Sequence, residues 1–330
     1  MRKFIGLAFV AWMGCGSGAG TPVLEAGVGA DASAIADGGH ADLAQADGPA
    51  GATDLASTPG YAVPGPYAVT TQELSATLTA GTLTLTAYLP TTADKRPLVV
   101  VAPGFVQGRA GYAAYGQRLA SHGLVTLIFD DAGFNTSSAT EASELTELVS
   151  TWLPAQALAA KIELDHVGLM GHSRGGQVAL LAAEGGLAGK VIAFFGLDPV
   201  DTNNGIEART ALPTIGIPTV FLGETLDGTG SFGMACAPTA DNYQAQYAFA
   251  PSPSLELTAV GAAHFDFEDR SKATLAGLCM QGAADPATVL AMAVTISTGY
   301  FDHQLAGASL ASPYGADVFV AAGQLVLTSK

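Results

Sequence analysis

The 330-residue chain is 49% hydrophobic and 13% charged, which is enough for one large core but leaves too much low-complexity sequence at the front for two balanced domains. Against 29 Asp and Glu there are 13 Lys and Arg, a net charge of −16 with no basic cluster, which argues against nucleic acid and against a polybasic membrane patch. Solubility alone accounts for the acidic balance.

Residues 1–15 predict export. Arg2-Lys3 precedes the apolar run Phe4–Met13, and Gly14-Cys15 resembles the end of a bacterial lipoprotein signal, where Cys15 would carry the lipid. Trp12 and Met13 stand where small or Leu-type residues are usual, so a plain secretory signal is the rival reading. Residues 16–60 are rich in Ala, Gly and Asp, lack Lys and Arg, and show no apolar period; such a segment predicts a flexible tether. The folded domain is expected over 61–330, and no second apolar stretch is long enough to span a bilayer. Outside the signal only Cys236 and Cys279 remain, and an exported chain with two cysteines is expected to pair them.

Alternation from Glu73 to Leu89 around Ala80-Gly81 predicts an antiparallel strand pair. Pro97–Ala102 and Leu124–Phe129 are continuous apolar runs, the pattern of strands buried on both faces. A helix is predicted from Tyr112 to Ser121 and another from Glu141 to Leu153, closed by Pro154. Further strands follow at Val167–Met170, Val191–Phe195, Thr219–Leu222 and Leu255–Val260. A long helical pattern covers Pro286–Leu305, and the tail from Asp317 to Leu327 holds a candidate short strand.

Gly171-His172-Ser173-Arg174-Gly175 ends the fifth of these strands, and the helical pattern Gln177–Ala183 begins at once. Strand, sharp turn with a serine, then helix is the arrangement of a nucleophile elbow. Apolar strands alternating with helices imply a mostly parallel sheet covered on both faces. With the elbow, they point to the α/β-hydrolase fold, whose site lies at the carboxyl ends of the strands. Pro218 lies 20 residues after Asp198, too few for a large helical cap at that position.

A serine hydroxyl is a weak nucleophile and needs a base, itself oriented by a carboxylate. In this fold they follow in the order serine, acid, histidine. His264 lies in a loop directly after a strand, whereas His303 lies inside the terminal helical pattern, so His264 is the expected base. His40, His122, His166 and His172 precede the serine and are expected to be structural or solvent-facing. Two acids fit by position: Asp198 follows one strand, and Asp227, with Glu224 nearby, follows the next. The oxyanion should be held by the backbone amides of Arg174 and Phe105. The Arg174 side chain is then free to make a salt bridge or to touch substrate.

Gly171-His-Ser-Arg-Gly-Gly176, Gly196-Leu-Asp-Pro-Val-Asp201, Cys236-Ala-Pro238 and His264-Phe-Asp266, in that order, resemble the chlorophyllase family of α/β-hydrolases. Gly104-Phe105, Ala120-Ser-His-Gly123 and Trp152-Leu-Pro154 add to the resemblance, which runs from about residue 95 to 280. It implies that the acid is Asp198, in the Asp-Pro-Val motif. Bacterial polyester hydrolases and cutinases share the elbow, with their acid after the later strand. Pro103 departs from the chlorophyllase pattern, which has His before Gly-Phe, and the tether and the residues after Cys279 lie outside it.

The expectation is a serine ester hydrolase needing no metal or organic cofactor, acting on bulky or long-chain esters in an open site walled by Phe105, Phe232, Phe265 and Phe267. Its partner is a small or polymeric ester, and it meets a membrane only through the lipid at Cys15; nothing in the sequence sets an oligomeric state. A lipase or cutinase-like polyester hydrolase is the alternative within enzymes. A non-catalytic binding protein on the same scaffold is the alternative outside them.

Overall fold

A two-residue turn opens the sheet: β1 (Val69–Thr77) and β2 (Thr82–Pro90) pair antiparallel, closed by reciprocal bonds between Leu78 and Gly81. This is the pair predicted from the alternation around Ala80-Gly81. The computed structural model describes residues 60–131, 133–201, 208–309 and 313–330. The expected signal, Cys15 and nearly all of the expected tether lie outside the described residues.

Beyond the hairpin come β3 (Arg96–Ala102), α1 (Ala113–Ser121), β4 (Val125–Phe129), α2 (Ser138–Glu147), β5 (Ile162–His172), α3 (Arg174–Glu184) and β6 (Val191–Leu197). They are followed by α4 (Leu212–Ile215), β7 (Thr219–Glu224), α5 (Tyr243–Phe249), β8 (Ser254–Ala259), α6 (Pro286–Ala306), α7 (Asp317–Ala321) and β9 (Leu325–Ser329). The nine strands form one sheet in the order β1-β2-β4-β3-β5-β6-β7-β8-β9. From β4 to β8 all neighbours are parallel, and β1, β2 and β9 join antiparallel. This is the α/β-hydrolase arrangement, and the apolar runs of β3 to β7 are explained by burial on both faces.

One face is packed by α2, α3 and α5 through residues such as Leu145, Leu148, Val178, Leu180 and Tyr247. The other is packed by α1 and α6 through Tyr115, Leu119, Met292, Ile296 and Phe301. Residues 198–218 contain only a 3-10 turn (Ala208–Ala211) and α4 among the described residues, so no large cap is built there. No helix among the described residues is long and apolar enough to cross a membrane.

Helix α2 and strand β5 differ most from their predicted bounds. Helix α2 starts before Glu141 because Ser137 caps it, its Oγ accepting the Thr140 amide. Past Glu147 the helical path widens to a π turn and then tightens to a 3-10 turn at Leu153–Ala155, around Pro154. Strand β5 begins at Ile162, but between the pairs Pro97–Glu163 and Leu98–Val167 its register slips, leaving Leu164–His166 as a bulge. That bulge carries exposed polar residues and hides the strand's first half from a reading by period.

Candidate active site

Strands β5, β6 and β8 each end at the same edge of the sheet, and the loops beyond them carry Ser173, Asp198 and His264. Ser173 sits at φ +53°, ψ −127°, a strained conformation for a residue with a side chain. Its amide donates to the Leu197 carbonyl at 3.1 Å, and its own carbonyl accepts from the Val200 and Gly176 amides at 3.0 Å each. The elbow is therefore stitched to the loop that carries Asp198. Close approach accounts for the small residues here: a Cβ on Gly175 would lie 2.2 Å from the Ala102 carbonyl oxygen, and one on Gly171 2.3 Å from that of Gly175.

His264 Nε2 lies 2.9 Å from Ser173 Oγ, and its Nδ1 lies 2.5 Å from Asp198 Oδ2. A carboxylate only accepts, so Nδ1 carries the proton and Nε2 is left to accept from the serine hydroxyl. Burial pushes the Asp198 carboxyl above the usual range, and the hydrogen bond from His264 works against that shift. Asp198 itself adopts φ +38°, with its amide on the Leu222 carbonyl at 2.6 Å. Asp227 is not brought to the histidine; its carboxylate accepts the Thr239 hydroxyl instead.

Behind the serine, His172 is fully buried and links the His264 loop to the Gly104 loop. Its Nε2 donates to the His264 carbonyl at 3.0 Å, which leaves Nδ1 to accept the Tyr112 hydroxyl at 2.7 Å. Tyr112 in turn accepts the Gly104 amide at 3.0 Å. Burial, then the neighbouring His264, holds the pKa of His172 well below its ordinary value, so it is neutral.

The loop after β3 holds Phe105, whose amide makes no hydrogen bond among the described residues. Arg174 is the first residue of α3, so its amide has no partner within the helix. These two amides are the donors available to an oxyanion. Their loop is fixed from β4: Asp131 Oδ1 accepts the Val106 amide at 2.8 Å, and Asp130 Oδ1 accepts the Arg109 amide at 2.8 Å. Between its two possible uses, the Arg174 side chain takes the salt bridge. It is buried, bonds Asp131 and Glu141 at 2.5 Å each and the Thr136 carbonyl at 3.0 Å, and stacks over the Phe105 ring at 4.9 Å.

Among the expected wall residues, Phe105 packs edge-on against the exposed Phe134. Phe265 is nearly buried and sets its edge against the rings of both His264 and His172. Phe267 does not line a site: it is fully buried in the core, and its carbonyl accepts the Tyr115 hydroxyl at 2.6 Å. It sits in the short 3-10 turn His264–Phe267, which points it at the sheet, away from the opening. Phe232 is 65% exposed in the loop between β7 and α5, beside the Cys236–Cys279 disulfide, whose Cα atoms are 5.7 Å apart.

Asp198, Glu224 and His264 place potential ligand atoms within 4.8 Å of one another. Both ring nitrogens of His264 are already engaged by Ser173 and Asp198, while Glu224 makes no side-chain hydrogen bond to either of the other two. Sequence reasoning missed the Tyr112–His172 link, the loop-fixing role of Asp130 and Asp131, and the burial of Glu224. Only Asp130-Asp131 left a signal, as paired acids at the carboxyl end of a predicted strand.

A family model described as PET hydrolase-like matches residues 40–276. A bis(hydroxyethyl) terephthalate hydrolase of Streptomyces coelicolor is 28% identical over 210 residues, 62% of this chain and 62% of its own length. Cutinase 1 of Thermobifida cellulosilytica is 27% identical over 207 residues, 61% of this chain and 72% of its own. A cutinase of Thermobifida fusca is 27% identical over the same share of this chain and 63% of its own. The chain thus spans less than two thirds of the Streptomyces and Thermobifida fusca relatives. With the family model covering well over half of it, the chain belongs to the PET hydrolase-like family of α/β-hydrolases.

Proposed function

We propose that this chain is a serine carboxylic-ester hydrolase working through an acyl-enzyme. The observation that carries the reading is the continuous chain of hydrogen bonds from Ser173 Oγ through His264 to Asp198. Ser173 Oγ attacks the ester carbonyl while His264 Nε2 takes its proton, and Asp198 orients and stabilises the imidazolium. The developing oxyanion is held by the amides of Phe105 and Arg174. Collapse breaks the ester C–O bond, and His264 returns the proton to the leaving alcohol. Water, deprotonated by the same imidazole, then attacks the acyl carbon and releases the acid and Ser173.

For substrate, the reading is a bulky ester in an open site. The short connection between β6 and β7 supports it, as does the exposed Phe134 beside Phe105. Family membership favours a cutinase-like action on polyesters or their diester fragments. A chlorophyllase-like preference for a long-chain alcohol is the other reading, favoured by Asp198 within Asp-Pro-Val, on the earlier of the two strands. Export, with a lipid on Cys15, is inferred from residues 1–15 and fits a disulfide-bonded domain.

A fluorophosphonate probe should label the wild type and fail on Ser173→Ala; an unlabelled wild type would instead favour a binding protein on this scaffold. An ester panel of graded acyl and alcohol size should then show turnover of bis(hydroxyethyl) terephthalate or of a phytyl ester. Hydrolysis confined to acetyl esters would sink the open-site reading.

A further inference from the structure

Two carboxyl groups at the acid end of the site each hold one buried oxygen with no well-formed hydrogen bond among the described residues: Oδ1 of Asp198, whose carboxylate has only the Glu224 backbone amide near it as a donor besides His264, and Oε2 of Glu224. The residues are 0% and 4% exposed, and with His264 they offer ligand atoms within 4.8 Å of one another. Two ionised carboxylates this close in a dry site repel strongly, and each orphaned oxygen carries its full desolvation cost. A single proton between them removes both penalties.

The chemistry decides which group holds it. Asp198 accepts the Nδ1 proton of His264, which favours its ionised form. Glu224, the last residue of β7, faces acids from every side: Asp198 beyond β6, Asp227 in its own following loop and Asp266 beyond β8. Asp266 is itself tied to Arg270 at 3.1 Å, and the Tyr243 hydroxyl of α5 donates to the Glu224 carbonyl, not to its carboxyl. Among the described residues beside it, His264 alone can bring opposite charge, and only when protonated. Burial first, then the charges of Asp198, Asp227 and Asp266, pushes the Glu224 carboxyl up to about 11.

We propose that Glu224 is a positioning residue of the triad, carrying a proton that it donates to Oδ1 of Asp198 and so holding Oδ2 on His264. The bond requires a turn of the Glu224 carboxyl, since none joins the two groups as they stand; no proton leaves the pair during the reaction. Glu224 touches neither substrate nor the reacting atoms. The inference rests on the Ser173–His264–Asp198 reading and deepens it.

The test is the pH profile of kcat and kcat/KM for 4-nitrophenyl butyrate with the full chain, comparing wild type, Glu224→Gln and Glu224→Met. An amide keeps a donor but cannot ionise, so Glu224→Gln should lower kcat no more than about threefold and leave the acid limb within about 0.3 pH of wild type. Glu224→Met keeps the size without the donor and should lose kcat by roughly 10- to 100-fold with KM unmoved. An acid limb that falls by about half a pH unit or more in Glu224→Gln would mean a negative charge had been removed, and would overturn the proposal. Glu224→Met as active as Glu224→Gln would overturn it too. Should Glu224→Met fail to fold, the acid limb of Glu224→Gln decides alone. A wild type inert to both the ester and a fluorophosphonate is a different failure, that of the hydrolase reading.

Discussion

Asp198 gains its place by local backbone geometry. Its φ of +38° and the bond from its amide to Leu222 turn the residue back over the end of β7, which lets Oδ2 meet Nδ1 of His264. Asp227, three residues beyond β7, is held by Thr239 instead. Replacing Asp198 by Asn should cut kcat by roughly 10³- to 10⁴-fold, because an amide can present N–H to the histidine and stabilise the wrong tautomer. Asp227→Asn, away from the reacting atoms, should change kcat by no more than about twofold. Assayed side by side, a collapse in Asp227→Asn with Asp198→Asn spared would reverse the assignment. Position along the chain could not separate the two, since each follows a strand ending at the same edge. The pairing of Ser173 with His264 was legible because the signals are local: a glycine-flanked turn between strand and helix, and a histidine directly after a strand. Which acid reaches that histidine is set by a dihedral angle, and only the Asp-Pro-Val motif, through the resemblance it carries, pointed to Asp198. Phe267 fails for a related reason, as a 3-10 turn of four residues decides which ring of Phe265 and Phe267 faces the sheet.

Each loop of the candidate site is braced by an element other than its own. β4 braces the oxyanion loop through Asp130 and Asp131, and Asp131 also pairs with Arg174 at the head of α3, so three chain segments share one charge cluster. The base loop is braced by His172 from β5 and by the Cys236–Cys279 bridge, which spans 43 positions and encloses α5, β8 and His264. Such a loop contributes about 4 kcal/mol by the chain-entropy estimate. The double variant Cys236→Ser/Cys279→Ser should therefore melt several degrees lower. Its kcat at 25 °C should stay within about threefold, because His172 and Asp198 still hold His264 from the sheet side. Equal melting temperatures would show that the bridge adds nothing to stability, and a collapse of kcat would show that it positions the base. The elements themselves were readable wherever burial was uniform, as in β3, β4 and β7. Readability failed at β5, where a bulge interrupts the period, and beyond Glu147, where the helix changes pitch.

At the scale of the whole molecule, an acidic chain with a net charge of −16 keeps several carboxyls inside. Glu224, Glu268, Asp198, Asp201 and Asp266 are all buried, and burial is the leading cause raising each above its ordinary range. A carboxyl whose folded pKa is raised favours the folded state fully only below its unfolded value. As pH rises, the unfolded chain ionises first and the folded chain does not follow, so stability is lost across the interval between the two. For Glu268, buried beside the Tyr112 hydroxyl and with Oε1 4.0 Å from His172 Nδ1, that interval runs from 4.5 to about 8. Its cost at pH 8 is on the order of 4 kcal/mol, and most of it is gone at pH 5. His172 acts in the opposite sense: held neutral when folded, it loses stability as pH falls below 6.5. The burial-lowered imidazoles of His172 and His122 are outweighed by the larger set of carboxyls, leaving a net gain on acidification, and the self-repulsion of the acidic surface adds to it. The melting temperature should therefore be higher at pH 5 than at pH 8. Glu268→Gln should raise it by several degrees at pH 8 and by much less at pH 5. A wild-type melting temperature that climbs from pH 5 to pH 8, with Glu268→Gln no more stable than wild type at pH 8, would show these carboxyls ionised in the fold, each with a compensating partner.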